Sequence, residues 1–446
     1  MAKIGKVCYL RLHTAYRLPI MGRKKGYKAS AAGKKKIEEA IEKDWGGKPY
    51  GTDILKNLKD KFNKEIVPET WRKFIGAITP IGRNIFNEYC RYLGLNPEEI
   101  RELEVIPSDP GFYGREEKLK ELQKLMLSQK LRLFILYGLQ GIGKATLAGK
   151  VYKQLDREVG LNKRFDQKIW HIFSESDPLK DTLIALLDEL IPQQIRRDMT
   201  VRELKNRLFK HLQDRKCSIF LQQDSDVNTN VYEKEYIKLY YEFANGRAGE
   251  SHQSCILLIT AFKKPNEVTN IVGDRNIATS LELKGIDEID EKPALQLLKS
   301  RNLIIEKDIG SAKELIKKCS GHPRTLRLVS AEIIKHHNGD IREFLDSNKN
   351  PCIPNSMKEI IVKLTDNLDL ASWEILKILV DSEPISQPQL ENEFLTKIPD
   401  SSDFYTAKDN LERLSLLSRY ENDGNFLFGL TELIKETIRP IVNKLD

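Results

Sequence analysis

The residues of this chain best suited to chemistry are a run of spaced glycines ending in a lysine, Gly138-Leu139-Gln140-Gly141-Ile142-Gly143-Lys144-Ala145-Thr146. Glycines at this spacing let successive backbone N–H groups turn toward one point, the geometry that wraps a phosphate. A helix opening at the lysine adds positive potential, and the lysine ammonium reaches the outer phosphates. The expected ligand is a nucleotide, with Gly138, Gly141, Ile142, Gly143, Lys144, Ala145 and Thr146 forming the cradle. One position departs from what hydrolysis requires. A hydroxyl directly after the lysine would ligate Mg²⁺, and Ala145 has none. Thr146 lies one helical step further, a rotation of about 100°, so its hydroxyl points away from the metal position and is left to donate to the α-phosphate.

Such a loop has to be held between a buried strand and a helix. Leu131 to Tyr137 supplies the strand, and three more short apolar runs follow: Lys168 to Phe173, Cys217 to Leu221 and Ser254 to Thr260. Nearly continuous apolar runs are what strands buried on both faces need. Leu179 to Leu190 and Val201 to Leu212 carry apolar residues at helical spacing. The alternation predicts a parallel sheet covered by helices. Before it, Ser30 to Lys43 and Thr52 to Phe62 read as amphipathic helices, followed by Val67 to Gly76 and a helix from Ile85. After it come short helices and two strand-like runs, Leu417 to Glu421 and Phe426 to Leu430, around Asn422-Asp423-Gly424-Asn425, which is a winged-helix pattern.

The 446 residues suggest about three domains, and hydrophobic and charged fractions of 40% and 31% are those of a folded, charge-rich protein. The net charge of +8 is concentrated at one end: residues 1–100 hold 21 Lys/Arg against 11 Asp/Glu, or +10, which leaves −2 for the rest. That end suits a polyanion, most simply nucleic acid. The six cysteines have no metal-ligand spacing and read as reduced, mostly buried thiols. The apolar stretches of the N-terminus are broken by Arg11, His13 and Arg17, so it lacks the core of a signal peptide, and no apolar run is long enough to span a bilayer. The expected location is cytoplasmic, with no membrane partner and no metal site. Met21 also reads as a natural start, which would make residues 1–20 an upstream extension.

The surrounding text resembles the NB-ARC branch of the STAND P-loop NTPases, especially bacterial and cyanobacterial members. Phe112-Tyr113-Gly114-Arg115-Glu116-Glu117 is similar to the family's adenine-side motif, and Gly321-His322-Pro323-Arg324-Thr325-Leu326 to its G-x-P-x-x-L motif. His252 to Thr260 and Gly339 to Leu345 are similar to further family segments. The resemblance implies that Tyr113, Gly114, Arg115 and Pro323 border the nucleotide, ADP or ATP, with Mg²⁺ weak or absent. It also marks the departures. Besides Ala145, Gln222 stands where the family has the aspartate that orders Mg²⁺. Asp224 or Asp226 substitutes only if the strand runs on through Gln222 and Gln223. Phe262 falls where relatives carry an arginine that senses the γ-phosphate, with Lys263 as a partial stand-in. Leu430-Thr431-Glu432 occupies the place of a winged-helix histidine. Losing metal ligation and a charged group typically removes a factor of about 10² to 10⁴ each, so hydrolysis is expected to be slow or absent and no catalytic residue is assigned.

The stretch Ile85 to Ile100, with its Leu93-Gly94-Leu95 turn, resembles the final helix and turn of Cro/repressor-type helix-turn-helix domains, in which the second helix of the pair enters the major groove. That resemblance places Glu69, Thr70, Arg72, Lys73 and Arg83 near DNA and leaves Trp71, Phe74 and Ile75 to pack the core. The alternative is a death-fold-like or other helical adaptor with solvated lysines.

The resulting expectation is a multidomain α and α/β chain. It comprises a basic extension (1–27), a helical helix-turn-helix-like domain (28–106), a P-loop α/β core (107–285), a helical subdomain (286–350) and a winged helix (351–446). The leading functional expectation is a DNA-binding regulator whose nucleotide-binding, hydrolysis-impaired core acts as a conformational or oligomerisation switch. Self-association and a separate protein sensor or effector are the other expected contacts. The rivals are an active STAND ATPase that oligomerises in stress or phage-defence signalling, and a non-enzymatic interaction scaffold.

Overall fold

The computed structural model describes residues 29, 31–46, 56, 68–76, 83–95, 100, 112–128, 130–155, 164–174, 177–191, 198–223, 233–247, 251–262, 277–287, 290–305, 308–347, 353–422 and 424–444. The basic extension, most of the Thr52–Phe62 segment, Asp224, Asp226, Lys263 and the side chains of Glu69 and Arg83 lie outside the described residues. The chain separates into two compact units, Met1–Ile106 and Pro107–Asp446.

In the first unit, α1 (Ala31–Trp45), α2 (Pro68–Gly76) and α3 (Arg83–Tyr92) close around an aromatic centre. Trp71 and Phe74 are three apart on α2, so one face of that helix carries both. Trp71 meets Tyr89 edge-on at 4.9 Å and Phe74 meets Phe86 at 5.3 Å. Ile75 is buried beside them, while Arg72 and Lys73 are exposed on the opposite face.

The second unit begins with α4 (Glu116–Leu127) and alternates strand and helix: β1 (Leu133–Tyr137), α5 (Lys144–Leu155), β2 (Gln167–Phe173), α6 (Leu179–Leu190), α7 (Val201–Asp214), β3 (Cys217–Gln223), α8 (Glu233–Asn245), β4 (Cys255–Ile259) and β5 (Ala278–Glu282). The sheet is parallel throughout in the order β2-β3-β4-β1-β5, with Ile135 opposite Leu258 and Ser280 in register. Every residue of β1 and β4 is buried. On one face Leu183, Leu186, Leu204, Leu208, Tyr240 and Phe243 pack against the strands. A leucine taken fully out of water contributes about 1.5–3 kcal/mol, so this face is a principal source of the unit's stability. Thr200 and Glu203 form a reciprocal cap that fixes where α7 starts.

Four strands fall where the apolar runs predict them, and two details differ. The edge strand β5 has only Ala278 buried, so it lacks the continuous apolar signal of an inner strand. β3 runs two residues beyond Leu221, which corrects the expected strand end. Gln222 pairs in register with Ile172 and Ile259, and Gln223 with Phe173. Both amides sit half-buried at the open end of the sheet, and the Thr260 hydroxyl donates to Gln223 Oε1.

Residues 286–345 build a separate helical core from α9 (Lys292–Lys299), α10 (Ile309–Lys318), α11 (Pro323–His337) and α12 (Ile341–Ser347). Beyond it lie α13 (Asn355–Thr365), α14 (Leu370–Val380), β6 (Ile385–Ser386), α15 (Gln387–Leu395), α16 (Ser401–Arg413), β7 (Ser418–Asn422), β8 (Asn425–Gly429) and α17 (Glu432–Val442). β7 and β8 form an antiparallel hairpin, and β6 pairs with β8. The four described cysteines are free and buried. No helix among the described residues is long and apolar enough to cross a membrane.

Candidate functional site

β1 ends at Tyr137 and α5 opens at Lys144, so the glycine run forms the turn between a buried strand and a helix N-terminus. Gly138, Gly141 and Gly143 all have positive φ, at 138°, 91° and 101°. A Cβ would meet its nearest neighbour at 2.5 Å at Gly138, 2.6 Å at Gly141 and 2.6 Å at Gly143. At Gly141 it would lie 2.6 Å from Arg324 Cδ and 2.8 Å from Arg324 Cβ, so only glycine lets the loop pass beneath that side chain.

Lys144 is held by the loop it belongs to. Its Nζ donates to the carbonyls of Gly138 at 2.6 Å and Leu139 at 3.0 Å. Burial, with the nearby Arg115 guanidinium adding to it, pushes its pKa down to about 7. Arg115 is itself buried and donates through Nη2 to the Lys284 carbonyl at 2.8 Å. That bond fixes the start of α4 to the chain that follows β5. Opposite the loop, His322 caps α11 by accepting from the Thr325 N–H at 3.2 Å. Burial first, and the Lys144 cation second, hold the imidazole down to about 3, so it is neutral at physiological pH.

Loop, sheet edge and helical subdomain enclose a cavity of about 350 Å³. One end is apolar and aromatic, with Phe112, Tyr113, Ile286, Leu297 and Pro323. The other is polar and cationic, formed by Gly141, Gly143, Lys144, Ala145 and Thr146 with Arg115, Arg324 and Arg327. Gln222, Gln223 and Thr260 close it where β3 and β4 end. In parallel sheets, ligands bind beyond the carboxyl ends of the strands. A cavity with an apolar end and a cationic end suits a molecule with a flat ring at one end and phosphates at the other.

The sequence model of the NB-ARC domain matches residues 115–289, the stretch that carries the loop, the sheet, Arg115 and Lys144. Residues 115–289 are an NB-ARC domain. It is a nucleotide-binding module of the P-loop NTPase class. Beyond the domain, the chain is 26% identical over 388 residues to an uncharacterized WD repeat-containing protein of Nostoc, covering 78% of this chain and 30% of that protein. It thus spans less than a third of this curated relative. Among solved structures, a Walker-type ATPase of Pyrococcus abyssi aligns at 13% identity and a TM-score of 0.49, over 76% of this chain and 99% of that one. A STAND protein of Pyrococcus horikoshii with a tetratricopeptide repeat sensor aligns at 16% identity and a TM-score of 0.35, over 76% of this chain and 44% of that one.

Of the residues singled out in the sequence, the structure gathers Tyr113, Arg115, Gly141, Gly143, Lys144, Ala145, Thr146, Gln222 and Pro323 around the cavity of the NB-ARC domain. Four others stand outside its lining. Gly114, at φ 68°, passes against Pro293, where a Cβ would sit 2.4 Å from the proline ring. Gly138 faces the Leu283 carbonyl, and Ile142 is buried beneath the loop. Phe262 packs into the hydrophobic core of residues 353–442, alongside Met357, Ile361 and Leu411. Its backbone N–H donates to Thr260 Oγ1 at 3.2 Å. Sequence reasoning did not single out Arg324, Arg327 and Gln223. The two arginines follow the proline of the G-x-P motif one helical turn apart, and that spacing is the only sign of them in the sequence.

Proposed function

We propose that this chain is a nucleotide-controlled regulatory protein that binds ADP or ATP in its NB-ARC domain, turns ATP over slowly or not at all, and contacts DNA through its N-terminal unit. The observation that carries the nucleotide reading is the two-ended cavity, with aromatic and apolar residues at one end and the glycine loop with Lys144 at the other. Ala145 and Gln222 lie at the positions where hydrolysis needs a hydroxyl and a carboxylate, and both line the cavity. The cavity is bounded on one side by the sheet and on the other by α11. A nucleotide there bridges the core and the helical subdomain, which is the arrangement a conformational switch requires.

Calorimetric titration with ADP and ATP tests this reading. Binding by the wild type, weakened at least tenfold in Lys144→Ala, is the expected result. Failure of both nucleotides to bind would end it.

A second reading, a module that hydrolyses ATP and assembles on activation, draws support from the extension of β3 through Gln223. That extension makes Asp224 the next residue after the strand. Mg²⁺-dependent turnover that is lost in Lys144→Ala and in Asp224→Asn would favour it.

A further inference from the structure

P-loop sites ordinarily neutralise the phosphates with Mg²⁺, held by a loop hydroxyl and an ordered carboxylate. The donors around this cavity do not fit that ion. Ala145 offers no oxygen. Gln222 and Gln223 offer uncharged amides, and the Gln223 carbonyl oxygen already accepts from Thr260. Among the described residues none that lines the cavity is a carboxylate, and no cluster of acidic, histidine or cysteine side chains among them could hold a metal. The same wall carries four cationic side chains, Arg115, Lys144, Arg324 and Arg327.

Two of these lie against glycines of the phosphate loop, Arg115 over Gly143 and Arg324 over Gly141; Arg115 already donates to the Lys284 carbonyl, which leaves Arg324. It lies in the first turn of α11, directly after Pro323, and its aliphatic stem crosses Gly141 so closely that no side chain fits beneath it. Among the described residues it has no carboxylate partner. A guanidinium stays charged at any physiological pH and binds phosphate oxygens two at a time. The N-terminus of a fifteen-residue helix adds positive potential at the same spot.

We propose that Arg324 takes the place of the metal, so that the site binds a nucleoside diphosphate or triphosphate as the free anion, without Mg²⁺. This rests on the nucleotide reading above and adds the ionic form of the ligand and the residue that selects it. A wall whose described side chains are cationic or neutral repels a divalent ion, so free ADP binds more tightly than its Mg²⁺ complex. Added Mg²⁺ then lowers the apparent affinity by sequestering ligand.

The test is titration of the full chain with ADP in EDTA and again in excess MgCl₂, for the wild type and for Arg324→Ala, Arg324→Lys and Asp224→Asn. The expected result is wild-type binding that is tighter in EDTA than in MgCl₂. Arg324→Ala should bind about 10- to 100-fold more weakly in EDTA, Arg324→Lys should recover part of the loss, and Asp224→Asn should match the wild type. Thermal melting of each variant without nucleotide separates loss of a phosphate contact from loss of fold. Three outcomes overturn the proposal: binding that appears only with Mg²⁺, binding abolished in Asp224→Asn, or Arg324→Ala behaving as wild type. In each of these the nucleotide reading stands. A wild type that binds in neither condition removes both.

Discussion

Lys144 pairs with loop carbonyls and sits beside Arg115, and its pKa is pushed down to about 7. Phosphates arriving at that ammonium favour its charged form and raise the pKa again. Below pH about 7 the residue is charged before and after binding, so its contribution to affinity is constant. Above that it is neutral beforehand and must take up a proton, so ADP affinity falls by up to about tenfold per pH unit. Titrations across pH about 6 to 9, in buffers of different ionisation enthalpy, should register uptake of close to one proton at the alkaline end. Since His322 is neutral throughout this range, the imidazole adds no step of its own. An affinity that does not change across the range would remove Lys144 as the phosphate cation. The same shift sets a stability trend without nucleotide. Between pH about 7 and the ordinary lysine range the unfolded chain binds the extra proton, so this residue's effect becomes more favourable as pH rises. Lys144→Met should flatten that rise in denaturant midpoints.

At the scale of elements, the end of β4 does something other than sensing phosphate. Phe262 is buried in the core of residues 353–442, and Leu139 of the phosphate loop packs against the same cluster. The Arg413 guanidinium lies 6.0 Å from the Phe262 ring centroid. The loop and the C-terminal helices are thus joined through an apolar bolt at the position where the family resemblance puts an arginine. Phe262→Ala should cost about 3–5 kcal/mol, read as a lower urea midpoint with faster hydrogen exchange in α13 and the phosphate loop. Phe262→Arg should destabilise as well, because it buries a second guanidinium near Arg413; a stability equal to wild type would show that the bolt is not where the segments are held. These elements also show what a sequence can and cannot reveal. Strands buried on both faces, β1 and β4 above all, announce themselves as apolar runs, and the glycine spacing that shapes the loop is local. β5 is hidden because an edge strand needs only one side covered. The reach of β3 through two glutamines is hidden because the hydroxyl that meets Gln223, that of Thr260, is distant in sequence. Arg324 reads as an ordinary surface arginine until the fold brings Gly141 beneath it.

For the whole molecule, the distribution of charge favours the N-terminal end for the proposed DNA contact. Residues 1–100 carry +10 and the remainder −2. In the C-terminal segment, α16 bears Asp403, Asp409 and Glu412 against Lys408 and Arg413, and Lys408 is paired to two of the carboxylates, at 3.1 and 3.4 Å. A helix with that balance repels phosphate. On α2 the charges differ in kind. Trp71, Phe74 and Ile75 turn inward and are held by aromatic contacts, leaving Arg72 and Lys73 exposed together on a helix that packing keeps rigid. Two neighbouring cations on a fixed helix suit phosphate contacts, each of which releases counterions and steepens the salt dependence by about 0.9 in the log–log slope. Arg72→Ala combined with Lys73→Ala should therefore weaken DNA binding in a gel-shift series and reduce the slope by about 2. Lys408→Ala with Arg413→Ala should leave both unchanged. Should the second pair alone alter the slope, the contact lies in the C-terminal segment. Should the wild type show no slope at low salt, the basic end is solvated surface and the protein regulates through other partners.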